Sequence, residues 1–431
     1  MTPVPARAAS ATHRVVDAVW RMESAKLIGA LTRVTGDVGL AEELAQDALV
    51  AALERWPETG IPDKPGAWLM ATAKHRAIDT FRRSERLARK TAELGREIEE
   101  AEEPDWAAAL DEVVEDDVLR LVFVACHPVL AREARVALTL RLIGGLTTDE
   151  IARAFLVAEP TVAQRIVRAK RTLSAARVPF EVPTGPDFTA RLSSVLEVIY
   201  LVFNEGYAAT AGEEWTRPTL CQEALRLARI LAELTPGESE VHGLVALMEI
   251  QASRLPARIG PAGEPVLLPE QDRSRWDRVL IGRGLAALQR AERAGGALGP
   301  YALQAAIAAC HARARTVEDT NWARIAAVYE ALAELTPSPV VELNRAVAVS
   351  RAYGPAAGLE LIDALTDVPA LRGYHLLPSA RGDLLVQLGR LAEARGEFQR
   401  AASLTRNVRE RTLLLDRAAA CDVLADRQLG A

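Results

Sequence analysis

The stretch TTDEIARAFLVAEPTVAQRIVRAKRTL, residues 147–173, predicts two short helices joined by a tight break. Thr147 and Glu150 have the spacing of a capping box, in which each side chain accepts a hydrogen bond from the other residue's free backbone N–H. Residues 156–159 break this first helix, and Pro160 suits the first turn of a second one, where a missing N–H costs nothing. The pattern is typical of a helix-turn-helix.

The second helix of this motif separates an apolar face from a basic one. Val162, Ile166 and Ala169 recur at helical spacing and are expected to face inward. The remaining residues are polar and mostly basic: Thr161, Gln164, Arg165, Arg168, Lys170 and Arg171. This outer face suits a DNA groove, because arginine and lysine contact both phosphates and base edges.

Composition favours tightly packed helices over sheets. The chain has 431 residues, of which 49% are hydrophobic but only 5% aromatic. We find no run of alternating strand-like residues, so the sequence predicts an all-α chain with about two to four domains.

Several functional classes are excluded by what the sequence lacks. The four cysteines are far apart, with no C-x-x-C pair, which argues against a disulfide framework or a zinc knuckle. The N-terminus has no apolar core, and the longest apolar run, near residues 196–203, is too short for a bilayer. No phosphate loop, nucleophile elbow or metalloprotease motif occurs. We expect a cytoplasmic protein without membrane contact, enzymatic activity, cofactor or metal.

Three conspicuous groups of residues are interpreted as structural. The Cys126-His127 and Cys310-His311 pairs lie in alanine- and leucine-rich segments, which favours packing over metal binding. A capping and packing role is favoured over a ligand site for Asn204, Glu205 and Tyr207. A solvated helix start is the interpretation of the cluster Asp272, Arg273, Arg275 and Asp277.

The net charge of −6 conceals a segregation of charge along the chain. Residues 74–90 carry seven basic side chains against two acidic ones, and residues 165–177 carry five basic side chains and no acidic one. Between them, residues 93–117 hold twelve acidic residues and one basic residue. The pattern indicates two surfaces for a polyanion and a connector that avoids or mimics it; the alternative is solvated helix faces around a disordered hinge.

These features divide the chain into segments. We expect a disordered arm over residues 1–13, a helical domain over 14–92, an acidic linker over 93–117, the helix-turn-helix domain over 118–178, a proline-marked hinge over 179–186 and a long helical remainder over 187–431. In the first domain, one helix has an apolar face and a polar side that carries Glu42, Glu43, Gln46 and Asp47.

Both N-terminal domains resemble a known family. GDVGLAEELAQDALVAALERWP (36–57), followed by GAWLMATAKHRAIDTFRR (66–83), resembles the second conserved domain of bacterial sigma factors of the sigma-70 family, extracytoplasmic-function (ECF) group. The helix-turn-helix is similar to the fourth conserved domain of the same family, and the two occur in the family's order around a linker. The resemblance implies core RNA polymerase and promoter DNA as partners.

The resemblance also implies roles for individual residues in the first domain. Glu43, Gln46 and Asp47 lie where family members dock on polymerase, with a plain surface helix face as the alternative. Trp68 lies where the family packs a core tryptophan. Recognition and melting of the −10 element would involve Thr59, Ile61, Asp63, Lys74, His75, Arg76, Asp79, Arg82 and Arg83.

This match departs from the family pattern at two places. His75 replaces the usual asparagine beside the extruded base, and the loop at residues 57–67 contains no aromatic residue. An extruded base costs a few kcal/mol, which a binding pocket must recover by hydrogen bonds and stacking. Stacking is therefore less expected here. Arg82 and Arg83, with Lys74 and Arg76 on adjacent turns, are expected to contact phosphates.

In the fourth-domain match, Gln164 and Arg168 are expected to read bases of the −35 element. Glutamine pairs with adenine and arginine with guanine, each worth about 1–3 kcal/mol of discrimination. Ala163 and Val167 offer only apolar contacts beside Thr161. The expected phosphate contacts come from Arg165, Lys170 and Arg171.

The length of the acidic linker argues for a scaffold. Its 25 residues span roughly 80–90 Å when stretched but about 25–30 Å as a random coil. Two promoter elements one and a half helical turns apart are separated by about 50 Å. The linker can reach across that distance but cannot hold the domains in register, so polymerase is expected to position them.

The C-terminal remainder carries degenerate repeats. LAELTP occurs at residues 231–236 and again at 332–337, a separation close to three units of the 34-residue tetratricopeptide (TPR) period. The clearest repeat uses Gly382, Gly389, Ala394, Phe398 and Ala401 as packing positions, whereas residues 254–275 are a loop insertion. The tail resembles long ECF sigma factors with a TPR-like extension.

Such repeats form an α-solenoid with a concave surface that binds proteins or peptides. We therefore expect the tail to be a regulatory input; a stabilising appendage without a ligand is the alternative. For the whole chain, a promoter-specificity subunit of polymerase is favoured. The alternative is a one-component helix-turn-helix regulator with a TPR-like sensor domain, which would need neither a polymerase-docking face nor a melting helix.

Overall fold

The structure is a computed structural model, and it confirms the all-α prediction. It describes residues 6–92, 117–155, 157–209, 211–212, 215–261, 263–295 and 297–429. The chain divides between Val198 and Ile199 into two compact units, unit 1 and unit 2. Among the helices in the described ranges, none has the length and apolar character that crossing a membrane requires.

Unit 1 contains two groups of helices on either side of the acidic segment. The first group is α1 (Ala6–Thr35), α2 (Val38–Thr59) and α3 (Pro65–Ala92). The second is α4 (Asp117–Ala125), α5 (Arg132–Leu142), α6 (Thr148–Phe155) and α7 (Glu159–Ala175), followed by α8 (Gly185–Tyr207), which runs on into unit 2.

Helix α2 is positioned by its ends and by small residues. Its N-cap Asp37 accepts a hydrogen bond from the Leu40 backbone N–H at 2.9 Å, and Gly60, at φ 84°, ends the helix. Its buried side is rich in alanine, which allows close approach of neighbouring helices, and it includes Trp56. Short side chains here bring α2 close enough to other helices for its polar residues to reach them.

The predicted helix-turn-helix is present with its capping box. Thr147 Oγ1 accepts from the Glu150 backbone N–H at 3.1 Å, and Glu150 Oε2 accepts from the Thr147 backbone N–H at 2.8 Å. Pro160 lies in the first turn of α7. The inward-facing residues of α7 are all buried: Val162, Ile166, Ala169 and Leu173.

The boundaries of the expected arm and of the expected linker differ in the structure. Helix α1 already begins at Ala6, so most of the expected disordered arm is helical, and the acidic segment 93–116 lies outside the described residues. Asp117, expected to end the linker, is buried in α4, where Arg33 Nε donates to its carboxylate at 2.9 Å. Asp117 therefore belongs to the helical domain and not to the acidic linker.

The proline-marked hinge does not separate the units. Residues 187–198 pack as part of α8 onto the helix-turn-helix domain, where Ser194 Oγ donates to the Cys126 carbonyl at 2.7 Å. Arg132 Nε also donates to Glu197 at 2.8 Å. Helix α8 begins at Gly185, within the expected hinge, and its apolar spacing continues across Val198 and Ile199, so no break in the sequence marks the boundary between the units.

Unit 2 is a succession of helices, most of which pack on a helix adjacent in sequence. After β1 (Ala211–Gly212) come α9 (Pro218–Leu234), α10 (Ser239–Ala252), α11 (Arg278–Arg293), α12 (Pro300–Arg313), α13 (Trp322–Leu335), α14 (Pro339–Tyr353), α15 (Pro355–Asp363), α16 (Leu376–Gln387), α17 (Leu391–Leu404), β2 (Arg406–Asn407) and α18 (Val408–Leu429). The insertion between α10 and α11 forms three short 3-10 turns, the last at Arg273–Arg275.

The two ends of unit 2 meet. Strands β1 and β2 pair in parallel, with Ala211 opposite Arg406 and Gly212 opposite Asn407. Asn407 is buried, and its side-chain amide donates to the Ala209 carbonyl at 3.0 Å. These contacts join segments almost two hundred residues apart, so the succession of helices closes on itself.

Small residues set the spacing between the helices of unit 2. A Cβ at Gly382 in α16 would lie 2.7 Å from the buried Phe398 ring of α17, whereas one at Gly396, on the exposed side of α17, would meet nothing within 4 Å. Gly382 is therefore a contact position between helices, and Gly396 is not.

We predict opposite effects for two glycine substitutions in this pair of helices. Gly382→Ala should lower the free energy of unfolding by about 1–2 kcal/mol, because the new methyl overpacks Phe398. Gly396→Ala, the matched control, should raise it by up to about 1 kcal/mol through helix propensity. Urea denaturation followed by circular dichroism measures both, and equal stabilisation by both changes would contradict the packing.

Candidate nucleic-acid interface

The outer face of α7 presents the predicted DNA-reading residues to solvent. Gln164 and Arg168 are exposed and lie one turn apart, as do Arg168 and Arg171. Val167 between them is 45% exposed, which offers an apolar contact. Thr161 is also exposed, whereas Ala163 and Arg165 are half-buried.

A cleft of about 360 Å³ borders this face. Gln164 and Arg168 line it from α7, and Glu133 and the residues before α5 line the other side. Guanidinium and amide groups at this spacing can donate to and accept from base edges. The carboxylate of Glu133 on the opposite wall gives the cleft a polar character on both sides.

Lys170 makes a contact that the sequence did not suggest. Its ammonium forms an ion pair with Glu42 of α2, a carboxylate that is only 2% exposed. Arg141 of α5 donates from Nε to Glu42 Oε1 at 2.6 Å, and Gln46 donates to the same oxygen. Glu42 was expected on the polar side of α2; it is instead enclosed between α2, α5 and α7.

Further ion pairs join the same two groups of helices. Arg21 of α1 contacts Glu150 of α6 at 2.6 Å, and Arg33 of α1 contacts Asp117 of α4 at 2.9 Å. The second pair is largely buried, and Asp117 also binds Arg120 at 2.9 Å. In this structure the first three helices and the helix-turn-helix domain are thus packed together by charged contacts.

The expected polymerase-docking side of α2 is accessible. Glu43 and Asp47 are exposed and Gln46 is half-buried. Asp47 Oδ2 lies 3.1 Å from a terminal nitrogen of Arg76 on α3. Because both side chains are solvent-exposed, this pair contributes little free energy and a phosphate can displace the carboxylate.

The expected −10 surface combines the loop after α2 with α3. Ile61 and Asp63 are exposed in the loop, and Thr59, also exposed, donates from its hydroxyl to the Arg55 carbonyl at 2.9 Å. Trp68 contacts the Trp56 ring edge-on, with centroids 5.4 Å apart, so it has the packing role expected of it.

The exposed residues of α3 follow the same surface. His75, Asp79 and Arg82 are exposed, and Lys74 is half-buried. The side chain of Arg83 lies outside the described residues. Both groups of predicted residues therefore lie on faces that are polar, largely accessible and partly basic, and their contact with DNA stays a prediction.

The sequence did not predict that Glu42 is buried or that it pairs with Arg141. One signal was available: alanines at 41, 45, 48 and 52 form a second small-residue stripe on α2 beside Glu42, which indicates a second packed face. The partner of that face could not be read from the sequence, because Arg141 and Lys170 lie about a hundred residues or more away.

Comparison with known proteins matches three families to successive parts of the chain. The sigma-70 region 2 family matches residues 20–87, the sigma-70 region 4 family matches residues 120–173, and a family of unknown function, DUF6596, matches residues 191–292. The first two ranges contain the α2–α3 surface and the helix-turn-helix, respectively.

Two relatives extend the comparison. Over 385 residues the chain is 46% identical to an uncharacterized protein of Rhizobium meliloti, covering 89% of this chain and 90% of the relative. Over 166 residues it is 27% identical to the probable ECF RNA polymerase sigma factor SigI of Mycobacterium tuberculosis, covering 38% of this chain and 57% of SigI. The chain therefore belongs to the same family as the Rhizobium meliloti protein, and it contains segments that match sigma-70 regions 2 and 4.

Proposed function

We propose that this protein is an RNA polymerase sigma factor of the ECF group, which docks on core polymerase through α2 and reads promoters with α7 and α3. The observation that carries the proposal is that Gln164 and Arg168 of α7 and Glu43 and Asp47 of α2 are exposed within matched regions 4 and 2. Similarity to the probable ECF sigma factor SigI supports the same group.

The two DNA surfaces would divide the work of initiation. Gln164 and Arg168 supply base contacts in the major groove, while Arg165, Arg171 and Arg82 hold phosphates. On α3, His75 and Asp79 face solvent one turn apart and would meet the separated strand, together with Ile61 and Asp63 of the preceding loop. Base extrusion at this site is stabilised by hydrogen bonds rather than stacking, because the loop offers no aromatic ring.

The packing within unit 1 represents an inactive arrangement of the free protein. Lys170 cannot neutralise Glu42 and a DNA phosphate at once, and the two promoter elements are about 50 Å apart, which requires the two regions to separate. Polymerase supplies the binding energy for separation when it takes up the α2 surface. The free chain is accordingly a weak binder of duplex DNA.

We also propose that unit 2 is a TPR-like regulatory extension, as in the long ECF sigma factors that it resembles. Support comes from the helix-on-helix succession and from Gly382, Ala394 and Phe398, which pack at the positions that the repeat assigns to small and aromatic residues. Its concave side would take a protein or peptide ligand. If the full chain and a chain ending after Val198 support identical transcription, unit 2 has no regulatory role.

Transcription with purified core polymerase tests the main proposal. On templates with randomised upstream sequence, the protein should direct initiation from a defined set of promoters. Arg168→Ala should relax the preference at one upstream position, with a loss of about 1–3 kcal/mol of discrimination. Arg171→Ala, the matched phosphate-contact control, should weaken initiation uniformly without changing the preferred sequence.

One outcome of this experiment would contradict the sigma-factor proposal. Tight binding of duplex DNA by the protein alone, with no initiation that depends on it, would favour the one-component regulator instead.

Neutralising the enclosed carboxylate of Glu42 tests whether its ion pair keeps Lys170 from DNA. Glu42→Gln should strengthen the binding of promoter duplex by the free protein several-fold at low salt, because Lys170 becomes available to phosphate. It should also lower the free energy of unfolding by about 1–3 kcal/mol, since Arg141 loses its buried partner. Fluorescence anisotropy and urea denaturation measure the two effects.

Glu43→Gln is the matched control for Glu42→Gln, since it removes the same charge from the adjacent, exposed position. It should leave both quantities nearly unchanged. An equal gain in DNA binding for the two variants would show that general charge, and not release of Lys170, is responsible.

A further inference from the structure

The insertion between α10 and α11 brings arginine side chains into an aromatic cluster of unit 2. Arg254 is only 5% exposed. Its guanidinium carbon lies 6.0 Å from the centroid of the Tyr207 ring and 5.8 Å from that of Trp276. Arg258 lies over the same Tyr207 ring at 3.8 Å and 5.4 Å from the Trp215 centroid.

Arg254 has no counter-charge among the described residues. Within the part of the chain that the structure describes, its side chain makes no hydrogen bond and no ion pair, and its enclosed Nε has no acceptor. Two other buried arginines of unit 2 differ in this respect. Arg217 pairs with Glu205, and Arg273 donates to the carbonyls of His311 at 3.0 Å and Ala314 at 2.8 Å.

The surroundings of Arg254 add positive charge rather than remove it. Burial lowers the pKa of Arg254; the neighbouring Tyr207 and Tyr329 oppose that shift, while Arg258 adds to it. Burial together with Arg254 and Arg273 lowers the pKa of His311 to about 3, so the imidazole is neutral. Burial also raises the pKa of Tyr329 to about 12, which keeps its hydroxyl protonated as a donor.

A buried and unpaired guanidinium is costly to the folded state. Burying an ion without a partner carries a large free-energy penalty even after relaxation, and aromatic faces offset only part of it. A guanidinium has a planar fork of donors that matches the oxygens of a carboxylate or a phosphate. The missing partner is therefore an oxyanion.

We propose that Arg254 and Arg258, with the rings of Tyr207 and Trp276, bind the oxyanion group of a small-molecule ligand, a carboxylate or a phosphate. The anion takes the place of the absent carboxylate, and the rings flank the guanidinium groups. Both arginines lie in the segment that the sequence suggested to be a plain loop insertion. The proposal goes beyond the sigma-factor role and concerns binding alone, so it can fail or hold independently of transcription.

Thermal unfolding of the full chain tests the proposal with two probes, inorganic phosphate and succinate, against sodium chloride at equal ionic strength. One of the two anions should raise the melting temperature of the wild-type protein in a saturable way, because a ligand that binds only the folded state stabilises it. The effective probe identifies the group as phosphate or carboxylate.

Three variants give the proposal its controls. Arg254→Met should abolish the anion-dependent rise while melting no lower than the wild type without anion, because an unpaired buried charge is removed. Arg254→Lys should weaken the response, since it keeps the charge but loses the planar fork. Arg283→Met, which removes an exposed arginine from α11, should leave the response unchanged.

Two results would overturn the proposal. The first is no saturable rise with either anion in the wild type. The second is an Arg254→Met variant that melts well below the wild type or retains the full response, which would make Arg254 a structural residue or the anion effect a general one.

Discussion

The enclosed carboxylate of Glu42 is the interaction on which the arrangement of unit 1 depends. Its charge is compensated by Arg141 of α5 and Lys170 of α7, two helices from the other side of the acidic segment. Removing one partner from a buried ion pair is strongly destabilising, because the remaining charge has no water around it. The packing of regions 2 and 4 is therefore tied to a lysine on α7, the helix that we propose to read DNA.

Under the proposed function, this connection would suppress DNA binding without a separate inhibitor. Lys170 can form an ion pair with Glu42 when α7 packs on α2, and it can bind a phosphate only when the two helices separate. The other ion pairs that join the two regions reinforce the same state, and Arg21 contacts the very glutamate that caps the helix-turn-helix. Polymerase, by binding α2, would shift the balance toward the state in which α7 is free.

The sequence predicted those parts of the fold that depend on local periodicity. The capping box at Thr147 and the inward stripe on α7 are fixed by residues a few positions apart, and Asp277 caps α11 as expected, accepting from Val279 and Leu280. Contacts between distant segments were not accessible in this way. Arg273 was expected at a solvated helix start, yet it is buried against α12, because nothing near it in the sequence identifies the carbonyls of His311 and Ala314.

In the candidate site, too, the features set by local spacing were predictable and those set by distant contacts were not. Exposure of Gln164 and Arg168 follows from helical spacing, whereas the half-buried state of Lys170 follows from a glutamate more than a hundred residues earlier. Arg254 is a parallel case in unit 2, where aromatic rings from several elements enclose a charge that no local pattern marks as buried. In both units, the residues hardest to anticipate were buried charges that meet residues of distant segments.

A distance between α2 and α7 tests the central claim most directly. Spin labels at exposed Val50 and Ser174, with the four buried native cysteines left in place, would report that distance by pulsed electron resonance. The account predicts one short distance in the free protein and a lengthening toward about 50 Å with core polymerase and promoter DNA. A distance that stays short in a transcribing complex, or that is already long in the free protein, would contradict it.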